Sequence, residues 1–262
     1  MRRTLTQVYD AIFRPSRFVG ANVNRMQGRA VQDVAAVSRL LVVFAGNLVI
    51  YAVPLTLAGF GTAPAAAAPR SLAAVSTPLG LSPTWTWDFL RRFVQNSLYI
   101  TLAAALTFAA FHGSVQFTRS STGVVPSLHT VVYSTSAYLA GVFSVVWLLS
   151  TSASIAVADA LVLNAQKRFV YTIIDATGAS LVLPSGRPTP VSLADATPAD
   201  QAALATLAVI LGYFVYSLYL GSRINHGASR LTATLTVLTV GLTPVVFVLG
   251  SIALSLGSLP TP

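Results

Sequence analysis

The chain has 262 residues, of which 54% are hydrophobic and only 9% are charged. A soluble globular protein carries roughly 25% charged residues, so this composition excludes an ordinary water-soluble domain. Cysteine is absent, which excludes disulfides and thiolate metal ligands. The net charge of +9 is concentrated before the first apolar run, which indicates contact with lipid headgroups and excludes a nucleic-acid-binding class.

Residues 1–35 are predicted to form a basic cytoplasmic segment. Thr4 to Phe13 place apolar side chains at the spacing i, i+3, i+4 and i+7, which predicts a short amphipathic helix lying in the membrane interface. The same apolar face would equally suit packing against other helices, and the sequence does not separate the two alternatives. Six arginines are predicted to contact anionic lipid headgroups: Arg2, Arg3, Arg14, Arg17, Arg25 and Arg29.

Five apolar runs are long enough to cross a hydrocarbon core of about 30 Å as helices. They predict an all-α membrane protein, with a bundle of about five transmembrane helices over residues 36–262. Pro244 is expected to kink the last helix. The predicted spans are 36–60, 93–111, 128–149, 201–220 and 231–256.

Residues 150–200 are predicted to form one long loop outside the bilayer. Within this loop, two runs of β-branched and aromatic residues flank the sequence from Asp175 to Gly178. An Asp-Ala-Thr-Gly turn between two such runs is typical of a β-hairpin. We therefore expect a small extracytoplasmic β-hairpin in this loop.

Loop charges predict the topology. The N-terminal segment and the connectors 112–127 and 221–230 hold ten arginines and two aspartates, whereas the other loops hold six basic residues and five aspartates. The positive-inside rule places the more basic side, with the N-terminus, in the cytoplasm and the C-terminus outside. The bias towards arginine, aspartate and alanine indicates a GC-rich prokaryotic genome, so we expect a prokaryotic plasma membrane.

The sequence predicts no catalytic, cofactor or metal site. No Asp, Glu, Lys or Arg lies inside the core of a predicted span, and Arg39 sits at the cytoplasmic end of the first one. Membrane enzymes and ion-coupled transporters keep such charged groups at depth. His112, His129 and His226 lie near the cytoplasmic ends of spans without a metal-ligand spacing, and His112 is expected to cap its helix. Glutamate and the Gly-x-Ser-x-Gly motif of serine hydrolases are absent. We therefore predict a protein that is not an enzyme.

The order of the parts is also informative. The tracts YDAIFRPSRF, FHGSVQF, SLHTVVYSTSAYLAGVF and SRINHGASR occur in this order around the predicted spans. This arrangement resembles the Yip domain family of five-pass membrane proteins, the Ypt/Rab-interacting proteins of eukaryotes and their prokaryotic relatives. The best matches are Pro15 with Phe18, the Val-Tyr-Ser tract at Tyr133, and the His-Gly-Ala-Ser joint at His226.

The resemblance implies a five-pass fold, and it implies no catalytic residue. The eukaryotic members carry an acidic, Gly-Pro-containing motif associated with small GTPases, which this chain lacks, so binding to Rab proteins is not implied. We expect a non-enzymatic membrane protein that acts through a membrane protein partner, a second copy of itself, or lipid organisation. The alternative is a transporter or channel component for a neutral or weakly charged solute.

Overall fold

A computed structural model describes most of the chain, and all regular structure in the described residues is helical, with no strand among them. The predicted amphipathic helix from Thr4 to Phe13 lies outside the described residues. The described ranges are 15–20, 30–57, 67–151, 156–183 and 186–257. In chain order the helices are α1 (Pro15–Gly20), α2 (Ala30–Leu57), α3 (Arg70–Ser76), α4 (Pro83–Phe117), α5 (Val124–Thr151), α6 (Ala156–Thr177), α7 (Pro198–Asn225), α8 (Arg230–Gly241) and α9 (Thr243–Gly257).

The chain forms two compact units, and the division falls within α4, after Ala105. The smaller unit, residues 28–105, contains α2, α3 and the first part of α4. In this unit the Asn96 amide donates to the hydroxyl of Thr56 at 3.0 Å, and both residues are buried. This hydrogen bond joins α2 to α4 and gives each of the two buried polar side chains a partner.

Among the described residues, four segments are long and apolar enough to cross a membrane: Val34–Leu57, Pro83–Phe117, Pro198–Asn225 and Arg230–Leu254. They correspond to four of the five predicted spans. The remaining predicted span, residues 128–149, lies on α5, which is a 28-residue helix but is not among these four. The membrane class predicted from composition therefore agrees with the structure, while the count of five spans remains a prediction.

The last predicted span is one apolar segment with an interruption. Helix α8 ends at Gly241, Leu242 has φ of −84° and ψ of −11°, and α9 begins at Thr243. Pro244 lacks a backbone N–H, and its ring would clash with the carbonyl of residue 240 in a continuous helix. The helix is therefore interrupted beside Pro244, where the sequence predicts a kink.

The larger unit is built around the antiparallel pair α5 and α7. Gly141 of α5 faces Ile210 of α7, and further along Gly221 of α7 faces Thr130 of α5. Because each glycine lacks a Cβ, the two helices approach closely at both positions, as small residues permit in membrane helices. Phe111 of α4 completes a core with the following buried side chains: Val115, Val131, Leu218 and Val240.

The predicted β-hairpin is wrong. Residues 169–177, which contain the first β-prone run, form the last part of α6. Tyr171 and Ile174, three residues apart, are buried on one face of α6 and pack with Ile252 of α9. Packing of this face outweighs a β-propensity scale that spans only about 1 kcal/mol.

The expected turn residue Gly178 ends α6 instead. Gly178 has φ of +68°, its N–H donates to the carbonyl of Asp175, and the N–H of Ala179 donates to the carbonyl of Ile174. These two bonds form a Schellman motif with glycine in the left-handed position. The chain then returns along α6, where the N–H of Leu183 donates to the hydroxyl of Tyr171 at 3.1 Å.

Candidate functional site at the arginine-bearing end of the bundle

One end of the larger unit collects most of its buried polar side chains. Here α4 and α7 end, α5 and α8 begin, and α1 packs against the end of α7 where Gly20 meets Ile224. We call this region the arginine-bearing end, because Arg17, Arg119, Arg223 and Arg230 all lie in it. It contains both a hydrogen-bond network and a group of positive charges.

The network centres on Ser127, which is fully buried in the first turn of α5. Its Oγ lies 2.9 Å from Nδ1 of His112 and 3.0 Å from Nε2 of His226. His112 comes from α4 and His226 follows the last residue of α7, so one hydroxyl joins three helices. The centroids of the Phe111 and His226 rings lie 5.8 Å apart, and the two rings are tilted at 53° to each other.

The donors around each ring determine its tautomer. The backbone N–H of Thr122 donates to Nδ1 of His226 at 3.1 Å, so the proton of neutral His226 lies on Nε2 and points to Ser127. The side-chain amide of Gln116 lies 3.0 Å from Nε2 of His112, so His112 donates from Nδ1 to Ser127. Ser127 then accepts twice and donates to the carbonyl of Gly123 at 3.4 Å.

Burial and, to a smaller extent, the nearby His112 together lower the pKa of His226 to about 4. A charged imidazolium at this position would have two N–H donors, whereas Thr122 already donates to Nδ1. The neutral form therefore suits both the burial and the hydrogen bonds. In this pattern Ser127 faces donors on both sides, so no base draws its proton away as nucleophilic catalysis requires.

A second set of bonds fastens the connector between α4 and α5 to α7. The hydroxyl of Thr122 donates to the carbonyl of Asn225 at 2.7 Å, and the Asn225 amide donates to the hydroxyl of Thr130 at 2.8 Å. Asn225 and Thr130 are buried, so these bonds are protected from competing water. The arginine-bearing end is therefore held in one arrangement by contacts between residues about one hundred positions apart.

The four arginines lie on the helix ends and the connector that meet at this end of the bundle. Arg17, Arg119 and Arg230 are exposed, and Arg223 is half-buried with one guanidinium N–H donating to the carbonyl of Ala228 at 2.7 Å. No acidic residue occurs in the described parts of this end, which are residues 15–20, 106–135 and 215–241. Among these described residues, therefore, no carboxylate neutralises the positive charge.

Arg119 has an unusual backbone. Its φ is +55°, and it is the non-glycine residue with positive φ in the part of the chain that the structure describes. Its N–H donates to the carbonyl of Gln116 and the N–H of Ser120 donates to the carbonyl of Val115, which is the same Schellman motif that Gly178 completes at the end of α6. An arginine therefore occupies the left-handed position that normally favours glycine.

Only some of the residues singled out by the sequence analysis lie in this site. Of the six arginines predicted to contact lipid headgroups, Arg17 is described and is exposed on α1. The other five lie outside the described residues: Arg2, Arg3, Arg14, Arg25 and Arg29. His112 does not cap its helix, because α4 continues for five residues beyond it and its ring bonds to Ser127 instead.

The sequence did not predict the hydrogen-bond network or the left-handed backbone of Arg119. One signal for the network was available, because His112 and His226 both occur at predicted span ends on the same side of the membrane. No sequence signal identified Ser127 as their common partner. The sequence predicted no metal site, and the described residues contain no group of three or more His, Cys, Asp or Glu side chains suited to a metal ion.

Comparisons with family models, with curated proteins and with solved structures give no match for this chain. The resemblance to the Yip domain family therefore stays a prediction from the motifs quoted above.

Proposed function

We propose that this protein is a non-enzymatic, five-pass membrane protein that acts through contacts of its helix faces with partner helices and lipids. The main observation behind the proposal is that few residues of the spanning helices are buried against the rest of the chain. Only 17% of the residues in the apolar window of Pro198–Asn225 and 11% in that of Arg230–Leu254 are buried. Such faces are covered by lipid or by another protein in a membrane.

Large apolar side chains make up these uncovered faces. Val209 on α7 is 71% exposed and Leu238 on α8 is 61% exposed, whereas Leu218, nine residues after Val209 on α7, is 1% exposed. In water, surfaces of this kind would aggregate, and in a bilayer they offer sites for helix association. The proposal places them in a prokaryotic plasma membrane, with the N-terminus in the cytoplasm and the C-terminus outside.

Photo-crosslinking in native membranes tests the partner part of this proposal. A photoreactive residue at Val209 or Leu238 should give discrete adducts with protein or lipid, and the same residue at buried Leu218 should give only intramolecular products. Uniform absence of adducts at both exposed positions, in protein that resists alkaline extraction from membranes, would contradict the proposal.

The five-pass topology is tested by reporters placed on either side of α5. Reporters active only in the cytoplasm should work at the N-terminus and in the connector 118–123, and should fail after Gly178 and at the C-terminus. If α5 does not span, the connector and Gly178 will report the same side.

A solute transporter is the second candidate, and one observation favours it. The hydroxyls of Ser134 on α5 and Ser222 on α7, together with the carbonyl oxygen of the Asn225 side chain, are buried without a hydrogen-bond partner in the described part of the chain. Buried polar atoms of this kind are normally satisfied by a group or a water. Uptake of a neutral solute into proteoliposomes, abolished by Ser134→Ala, would favour this candidate over the first.

A further inference from the structure

We propose that the arginine-bearing end binds the phosphate of an anionic glycerophospholipid, with Arg119, Arg223 and Arg230 as its cationic contacts. This inference rests on the proposed membrane function and deepens it, because it names the lipid class and the residues that would recognise it. None of these three arginines belongs to the N-terminal segment predicted from the sequence to contact headgroups.

The first argument is charge. Arg119 and Arg230 are exposed, and the described ranges around them contain no carboxylate that would neutralise them. One guanidinium N–H of Arg223 donates to the carbonyl of Ala228, and a guanidinium carries five N–H donors in all. Guanidinium groups bind phosphate oxygens through paired N–H donors, so a phosphate complements this group of charges.

The second argument is the apolar surface beside these charges. Phe117 is 92% exposed two residues before Arg119, and Leu231 is 71% exposed directly after Arg230. Helices long and apolar enough to span a membrane end or begin at both places. A basic side chain next to an exposed apolar side chain at the end of a spanning helix matches the headgroup boundary, where phosphate lies above acyl chain.

This pairing distinguishes lipid from other anions. A soluble acidic protein or a nucleic acid would complement the charges, but it would not contact Phe117 and Leu231, which the bilayer surrounds at the ends of the spanning helices. A phospholipid satisfies both, because its phosphate meets the guanidinium groups while its acyl chains meet the apolar side chains. The observations therefore favour lipid over a polar macromolecule.

The third argument is the backbone of Arg119. The chain uses glycine in the left-handed position at Gly178, where a Schellman motif of the same kind ends α6. At Arg119 the same motif holds an arginine, although glycine would adopt this conformation without strain. A strained backbone conformation at Arg119 indicates that its side chain has a function, and contact with a lipid headgroup would be such a function.

The test uses the full chain purified in a mild detergent and titrated with phosphatidylglycerol or phosphatidylcholine, with bound lipid counted by native mass spectrometry. We expect phosphatidylglycerol to bind more tightly than phosphatidylcholine. Arg119→Gly should weaken phosphatidylglycerol binding about fivefold, which corresponds to roughly 1 kcal/mol for one basic residue near an anionic surface. Adding Arg230→Gln should weaken it about fivefold again.

Two controls keep the result interpretable. Arg168→Gln removes an exposed charge from α6, outside the arginine-bearing end, and should leave lipid binding unchanged. Arg119→Gly puts glycine at a positive φ, so the variant should unfold at the same or a higher temperature than the wild type. Lost binding in this variant would therefore not reflect lost folding.

Several results would overturn the proposal. Equal binding of the two lipids, or unchanged binding in Arg119→Gly, would remove the site. Competition by excess inorganic phosphate would assign it to a free anion instead of a lipid. Retention of an acidic protein, released by the arginine substitutions while lipid preference stays the same, would assign it to a protein partner. Alkaline extraction tests the membrane function separately, because a chain embedded in the bilayer resists extraction. A chain that gives any of these results but still resists extraction would contradict only the lipid site.

Discussion

The carboxylate of Asp200 accepts a hydrogen bond from the backbone N–H of Ala158 at 2.8 Å, which connects the first turn of α7 to the first turn of α6. Asp200 also accepts from the N–H of Thr197 at 2.8 Å and from its hydroxyl at 2.7 Å, within the capping box that begins α7. One buried carboxylate therefore serves the N-termini of two helices, where N–H groups lack partners and the helix dipoles are positive.

Replacing Asp200 with alanine should destabilise both helix starts. The change removes the capping contacts of α7 and leaves the N–H of Ala158 buried without its acceptor, and together these losses should lower the free energy of unfolding by about 3 kcal/mol. Thermal unfolding in detergent measures the loss. Asp195→Ala is the matched control, because Asp195 is an exposed aspartate close by in sequence and should be nearly neutral. Equal effects of the two substitutions would show that the contact with Ala158 contributes nothing.

The helix pair α5 and α7 depends on the absence of a side chain at Gly221. A Cβ at this position would overlap with the side chain of Thr130, so Gly221→Ala should destabilise the chain by about 2 kcal/mol. Gly212→Ala on the same helix meets open space and should be neutral or stabilising. Adding Thr130→Ser removes the methyl group that overlaps and should restore part of the loss, and no restoration would contradict the assigned contact.

His226 should make stability depend on pH. Its pKa is about 4 in the folded chain, compared with 6.5 for an ordinary exposed histidine, so between these pH values the unfolded chain binds more protons. Stability contributed by neutral His226 is therefore present above pH 6.5 and is lost as the pH falls towards 4, by at most about 3 kcal/mol. Unfolding curves measured across this range should show the fall.

The variant His226→Gln tests the assignment. It should be less stable than the wild type near neutral pH, because the bond from Thr122 and the contact with Ser127 are disturbed. Its stability should change less as the pH falls, since the titrating group is gone. Parallel pH curves for the two proteins would assign the dependence to another group.

The two Schellman motifs predict opposite effects of exchanging their left-handed residues. Arg119→Gly should stabilise the chain by up to about 1 kcal/mol, because glycine adopts positive φ without the clash of a Cβ. Gly178→Arg should destabilise it by about 1 kcal/mol, and Gly178→Ala by a similar amount, since a Cβ there meets no other atom and only the backbone is strained. Melting temperatures of the three variants check the signs, and stabilisation by Gly178→Ala would contradict the argument.

Features determined by residues close together in the chain were predictable from the sequence. The spans over residues 201–220 and 231–256 follow from continuous apolar runs, and the structure places helices α7, α8 and α9 there. The interruption before α9 follows from Pro244, whose ring and missing N–H act within one turn of its own helix. Length, hydropathy and proline chemistry act locally, so these features needed no knowledge of the rest of the chain.

The remaining features were decided by tertiary contacts. β-prone residues around Tyr171 became helix because their apolar face packs with Ile252, some eighty positions away. Ser127 is one of many serines in the sequence, and it acquires its role only because the fold brings His112 and His226 to its hydroxyl. Local propensities differ by about 1 kcal/mol or less per residue, so burial and hydrogen bonding between distant residues select among the conformations that the sequence leaves open.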